Sequence, residues 1–250
     1  MARRLNRVRN VDLRRLVLGI VALVLVIAAS VGGYVASRHA TNQSTFFGNF
    51  DSRDRVEVTA WITRVDTAAQ TLSATLVDIR PYGALADDDS SNFAADAEVV
   101  TNAVGNWKTP ITGGDSAPDI DQRIALNGSV TDYPFDRYRA TLELHVVRTD
   151  GTELPTAITV MNTDPFFAIS ATSASTPAGG TVVNLGVRRS APTLVFAVFI
   201  MVLMLGLAAA AAVAAYYVLR GRRGLVFGAC SVMAALLFAL IPLRNAVPGS

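Results

Sequence analysis

Cysteine occurs once in this 250-residue chain, at Cys230, lysine once, at Lys108, and histidine only twice, at His39 and His145. A single thiol excludes an intramolecular disulfide, and neither histidine has a partner at zinc-ligand spacing. Serines are plentiful, but none sits in a nucleophile-elbow sequence. No catalytic, metal or nucleotide motif stands out, so no enzyme activity, cofactor or metal is expected. The acidic run Asp87-Asp88-Asp89 with Asn92 lacks the alternation and central glycine of a calcium loop and reads as a solvated loop. Cys230, inside an apolar run, reads as a small packing residue without the electropositive, wet surroundings that activate a thiol.

Acidic residues are also missing from three long apolar runs, residues 16–36, 193–219 and 225–243, of 21, 27 and 19 residues. Each meets the ~20 apolar residues that cross a hydrocarbon core of ~30 Å. Arg3, Arg4, Arg7, Arg9, Arg14 and Arg15 precede the first run against Asp12 alone, and Arg220, Arg222 and Arg223 separate the second from the third. Positive charge beside a span is retained on the cytoplasmic side. The expected layout is a cytoplasmic basic leader at 1–15, a first transmembrane helix at 16–37 and an extracytoplasmic domain at 38–191. A second helix follows at 192–219, a cytoplasmic turn at 220–224, a third helix at 225–243 and an extracytoplasmic tail at 244–250. The first run is longer than the ~7–15 apolar residues of a signal peptide, which favours an uncleaved anchor. A multi-pass plasma-membrane protein with its N-terminus inside is the resulting expectation.

Charge is unevenly shared. Residues 38–187 hold ten basic and nineteen acidic side chains, a net of −9, within a chain of net +2. An acidic external segment argues against nucleic acid as a partner and against adhesion to anionic head groups; the basic leader answers to membrane topology.

Between the first two runs the hydrophobic pattern has a period of two. Val56, Val58, Ala60 and Ile62 alternate with Glu57, Thr59, Trp61 and Thr63, and Leu72, Ala74 and Leu76 follow a turn at 66–70 as the second half of a hairpin. Residues 83–120 read as long loops with one or two short strands. The pattern returns at 122–130 and is strongest at 139–148, where Ala140, Leu142, Leu144 and Val146 share one face. Asp150-Gly151 predicts a hairpin turn into 158–161, with further strands at 166–172 and 181–188. Seven or eight short strands without a helical stripe predict an all-β domain, an antiparallel, immunoglobulin-like β-sandwich. In the apolar runs, small residues at 206–215 and at Gly228, Ala229, Ser231, Ala234 and Ala235 form faces on which helices dock. They serve an intramolecular hairpin first, and self-association or other membrane proteins second, with lipid as the remaining partner.

The most unusual local sequence is Asp132-Tyr133-Pro134-Phe135-Asp136-Arg137-Tyr138-Arg139, which enters the clearest strand. Pro134 fixes its own φ and holds Tyr133 extended, so the loop is stiff. Phe135 is expected to plug a core end, and Asp136 to cap amides or pair with Arg137 or Arg139. As a functional element, Tyr133, Pro134, Phe135, Asp136 and Tyr138 with Arg188 and Arg189 form a candidate surface for coupling the domain to the membrane or to a partner.

With these motifs the chain resembles the actinobacterial membrane-protein family of domain of unknown function 4436. The resemblance rests on the 133–138 stretch, on Leu185-Gly186-Val187-Arg188-Arg189-Ser190, and on Leu243-Arg244-Asn245-Ala246-Val247-Pro248-Gly249. It implies an N-terminal anchor, an external β domain and C-terminal helices, continuing past Pro248 into a further span. A second likeness is to pentameric ligand-gated channels, where a Phe-Pro-Phe-Asp-type loop abuts the membrane and an arginine ends the last strand before the first pore helix. Phe135-Asp136 and Arg188-Arg189, followed by Pro192, are similar to both elements. The leading expectation is a non-enzymatic, envelope-exposed binding, sensing or scaffolding module. A channel-like subunit and an extracytoplasmic hydrolase are the alternatives.

Overall fold

The computed structural model describes residues 44–87, 91–174 and 179–220, with Ala28, Gly32, Ser231, Ala235 and Phe238 as single helical positions. Apart from those five positions, the leader, the expected spans at 16–37 and 225–243, the turn from residue 221 on, the tail, His39 and Cys230 lie outside the described residues, as do Asp88 and Asp89. The chain divides into two units, Met1–Arg38 with Leu194–Val247, and His39–Thr193 with Pro248–Ser250.

Within the second unit the described residues form twelve strands: β1 (Ser44–Gly48), β2 (Arg55–Asp66), β3 (Thr71–Tyr82), β4 (Ala97–Thr101), β5 (Lys108–Ile111), β6 (Ile120–Ala125), β7 (Asn127–Gly128), β8 (Arg137–Arg148), β9 (Glu153–Leu154), β10 (Thr156–Asn162), β11 (Phe167–Ala174) and β12 (Thr181–Arg189). They pair into two sheets. The first runs β1-β10-β2-β3-β6, and the second β11-β12-β8-β4-β5 with β7 and β9 also on β8. Strand alternation sends every second residue inward. Val56, Val58, Ala60 and Ile62 of β2 are buried, as are Tyr138, Ala140, Leu142, Leu144 and Val146 of β8 and Val183, Leu185 and Val187 of β12. These inner faces, with Leu72, Leu76, Ile124 and Ile158, meet in one core, which makes the domain a β-sandwich.

Two expectations need correction. Asp150-Gly151 does make a turn, with Gly151 at φ +85, but the strand returning along β8 is the two-residue β9, through Val146↔Leu154 and Val147↔Glu153. Pro155 follows and has no N–H for the ladder. Its carbonyl instead accepts a hydrogen bond from Val56 N at 2.8 Å, which starts β10 on the other sheet. There β10 runs parallel to β2 and antiparallel to β1, so the sandwich is mixed and not wholly antiparallel. Periodicity reports which face a residue occupies, not which strand lies beside it. The edge strand β1 was not anticipated at all.

Helix α1 spans Ala191–Arg220. Its Ala191–Val213 stretch, 23 residues of mean hydropathy 2.8, is the single helix among the described residues long and apolar enough to cross a membrane. Three such helices were expected, and the other two fall on the residues not described.

Candidate functional site

The 133–138 loop and the end of β12 come together through one buried ion pair. A short 3-10 turn at Val130–Asp132 leads into the loop, Phe135 N donates to Asp132 O at 2.8 Å, and the Tyr133–Pro134 peptide is cis. From Asp136 the backbone is already in strand phase. Asp136 and Tyr138 therefore face inward, while Phe135 and Arg137 face solvent.

Asp136 meets Arg189, the last residue of β12. Nη2 of Arg189 lies 3.0 Å from Asp136 Oδ2, and the two side chains are 1 % and 0 % exposed. Nε of Arg189 donates to both carboxylate oxygens at 3.1 Å. The Tyr138 hydroxyl donates to Oδ2 at 2.8 Å. The guanidinium also lies 4.5 Å from the centroid of the Phe167 ring and 5.0 Å from that of Tyr133. Taking two ions out of water costs several kcal/mol each, so such a pair persists only when geometry and extra hydrogen bonds offset that cost. Here the multiple contacts to carboxylate, the phenol and the two aromatic faces supply the offset.

The same environment raises the phenols. Burial, and then the hydrogen bond to Asp136, push Tyr138 up to about 12. Tyr133 is also raised, by burial first, with Arg189 pulling the other way. The Tyr133 hydroxyl oxygen is buried without a hydrogen-bond partner among the described residues.

Immediately after the pair, Ser190 fastens the chain again. Its N–H donates to Phe166 O at 2.8 Å, its hydroxyl donates to Pro165 O at 3.0 Å, and the hydroxyls of Ser190 and Thr193 share a hydrogen bond of 2.9 Å. The 163–166 turn is itself held by Asp164, whose Oδ1 accepts from Phe166 N at 2.7 Å and Oδ2 from Val65 N at 2.8 Å. Ala191 then opens α1.

Of the residues singled out from sequence, Tyr133, Asp136, Tyr138 and Arg189 converge, and Pro134 is buried next to them. Phe135 does not plug the core; it is 64 % exposed. Asp136 pairs with neither Arg137 nor Arg139, because strand phase turns both outward. Arg188 stands outside the cluster, on the exposed face opposite Arg137 of β8. Sequence reasoning gave no role to Phe167, Thr193 or Asp164, nor to Ser190, which it met only as the end of the 185–190 stretch, because local patterning does not tie these residues to a loop some thirty positions or more away. It also missed Gly128, where an added Cβ would come within 2.4 Å of a Tyr138 ring carbon and 2.6 Å of Arg137 O.

Both Asp136 oxygens are engaged, so the constellation ties the 133–138 loop to the end of β12 as a clamp. Elsewhere, His145 Nδ1 contacts Glu153 Oε1. No group of three His, Cys, Asp or Glu suited to a metal occurs among the described residues.

A family model described as a domain of unknown function (DUF4436) matches residues 46–187. A second, also a domain of unknown function (DUF8686), matches residues 189–250 and so takes in the 243–249 motif. No curated protein matches the chain. The boundary between the two matched segments falls inside the clamp, with Asp136 in the first and Arg189 in the second.

Proposed function

The chain belongs to the DUF4436 family, and from that premise we propose that it is a non-enzymatic, membrane-anchored module. Its extracytoplasmic β-sandwich binds or senses a ligand and passes the load to its helix through the Asp136–Arg189 clamp. The observation that carries this reading is the buried ion pair itself, placed two residues before the first residue of α1. A flexible tether would serve anchoring alone. A desolvated charge pair at the junction instead makes the loop, the last strand and the start of the helix answer to one another. The composition of α1 and of the runs at 16–36 and 225–243 supports three spans, with the basic leader inside and the sandwich outside. Lipid is then the immediate partner, and the alanine- and glycine-rich faces suit self-association or another membrane protein.

Hydrogen exchange on the full chain in detergent tests the coupling. Asp136→Asn takes the carboxylate away from a fully buried guanidinium, and breaking a buried pair by removing one partner costs about 3–5 kcal/mol. Protection should fall at residues 189–195 as well as in the 133–138 loop, while Arg137→Gln, on the exposed face, should change neither. Asp136→Asn combined with Arg189→Gln removes both charges and should recover part of the loss. Exchange confined to the loop, with 189–195 unchanged, would refute the coupling.

The same contact also favours a second reading, a channel-like subunit, since it joins the two stretches, the Phe135-Asp136 loop and the arginine at the end of β12, on which that likeness rests. Native mass spectrometry decides it: a ring-sized oligomer supports the channel reading, and a monomer or dimer removes it.

A further inference from the structure

The outer face of the first sheet carries a cavity of about 450 Å³ lined by Thr63, Ser73, Thr75, Asn106, Asp121 and Arg123. Strand register explains its composition. Trp61, Thr75 and Asp121 form one cross-strand row over β2, β3 and β6, and Ser73 and Arg123 stand opposite each other one position removed on that face. Cross-strand neighbours on one face lie about 5 Å apart at Cβ. An irregularity in β2 between Ile62 and Arg64 leaves both Thr63 and Arg64 exposed, so this part of the face carries more polar side chains than regular pleating would give. Past the edge strand, Val104 N donates to Arg123 O at 2.7 Å, and this holds the 102–107 loop where Asn106 becomes a wall.

Trp61 is 42 % exposed, a broad apolar ring in an otherwise polar row. Thr75 Oγ1 donates to Asp121 Oδ1 at 2.9 Å, and nothing else among the described residues bonds that carboxylate. Arg123 has no carboxylate partner among the described residues, although Arg64 on the same face pairs with Asp66 at 3.6 Å. Trp61 is not part of the cavity lining, which includes the apolar Val104, but it stands directly across from Thr75 at the cavity's margin. Hydroxyls, an amide, one carboxylate and one open guanidinium with an indole next in the row match a pyranose, which presents an apolar C–H face and a rim of hydroxyls. The single open cation, with Asp121 close by and a net charge of −9 over residues 38–187, opposes a phosphate and suits a singly charged carboxylate.

We propose that this cavity binds a carboxylated saccharide. The sugar ring lies against Trp61, its hydroxyls bond to Asp121, Thr75 and Asn106, and its carboxylate pairs with Arg123. The proposal names a ligand class for the external binding module inferred above. The site stands on a different sheet from the clamp, so failure of sugar binding and failure of coupling are separate results.

The chain has two tryptophans, and Trp107→Phe leaves Trp61 as the only indole reporter. The full chain in a detergent without a sugar headgroup is titrated with trigalacturonate and, separately, with maltotriose. Trigalacturonate should change Trp61 emission saturably, with a Kd on the order of 1 mM, and maltotriose should bind about tenfold more weakly or not at all. Arg123→Gln, at an exposed position, should bring trigalacturonate down to the maltotriose level with the melting temperature unchanged. By calorimetry, Trp61→Ala should abolish binding of both. No saturable response to either sugar, or binding of trigalacturonate unaffected by Arg123→Gln or Trp61→Ala, overturns the proposal. Equal affinity for the two sugars overturns the carboxylate assignment.

Discussion

Tyr138 shows how much one position can carry. Its ring fills the core at 1 % exposure while its hydroxyl supports the Asp136–Arg189 pair, so one side chain serves both packing and the ion pair. Its folded pKa, pushed to about 12 by burial and then by the bond to Asp136, lies above the ordinary phenol value of 10.0. A group that holds its proton more tightly when folded contributes stability that is complete below its unfolded pKa and is lost as pH rises towards its folded one. Full-chain melting temperature in detergent should therefore show no slope from this group up to about pH 9 and fall between about pH 10 and 12. In Tyr138→Phe the alkaline slope should be shallower and the melting temperature at neutral pH lower, consistent with loss of one hydrogen bond to a charged group, about 1.5–3 kcal/mol. An unchanged alkaline slope would mean that Tyr138 does not carry the titration.

Among the elements, β8 matters most, because β12, β4, β7 and β9 all pair with it. The two-residue β7 is its most constrained neighbour: Gly128 sits opposite Tyr138, with no room for a methyl group between them. Gly128→Ala should cost about 1–3 kcal/mol through overpacking. Differential scanning calorimetry would register this as a melting temperature lowered by several degrees, and tryptic cleavage should become faster at the neighbouring Arg137. The alternation of Ala140, Leu142, Leu144 and Val146 was legible in the sequence, because a half-buried strand must alternate. The crossing at Pro155 was not. Asp150-Gly151 marks a turn equally well whether the strand after it stays on β8 or leaves, and only the Val56–Pro155 hydrogen bond settles which. For the same reason Phe135 was misread as a plug. Its aromatic character suggested burial, but strand phase starting at Asp136 put it outside.

For the whole molecule the decisive experiment is topology. With Cys230→Ser as background the chain has no other thiol, so a cysteine placed at the exposed Ser129 reports on one location alone. A membrane-impermeant maleimide should label it in intact cells, and a cysteine replacing Arg222 should be labelled only after lysis. The reverse pattern would invert the orientation inferred from the arginines. By itself the sequence determined the period-two inner faces, the apolar stretch that becomes α1, and the presence of an unusual loop before β8. Each depends on residues close along the chain, where sterics and hydrophobic periodicity act directly. Only the tertiary structure decided that Asp136 meets Arg189, 53 residues away, that β10 joins β2, and that Trp61, Asp121 and Arg123 share one face. Those choices depend on which strands become neighbours. That is settled by the joint packing of two sheets and the cost of burying an unpaired charge, and no local pattern encodes either.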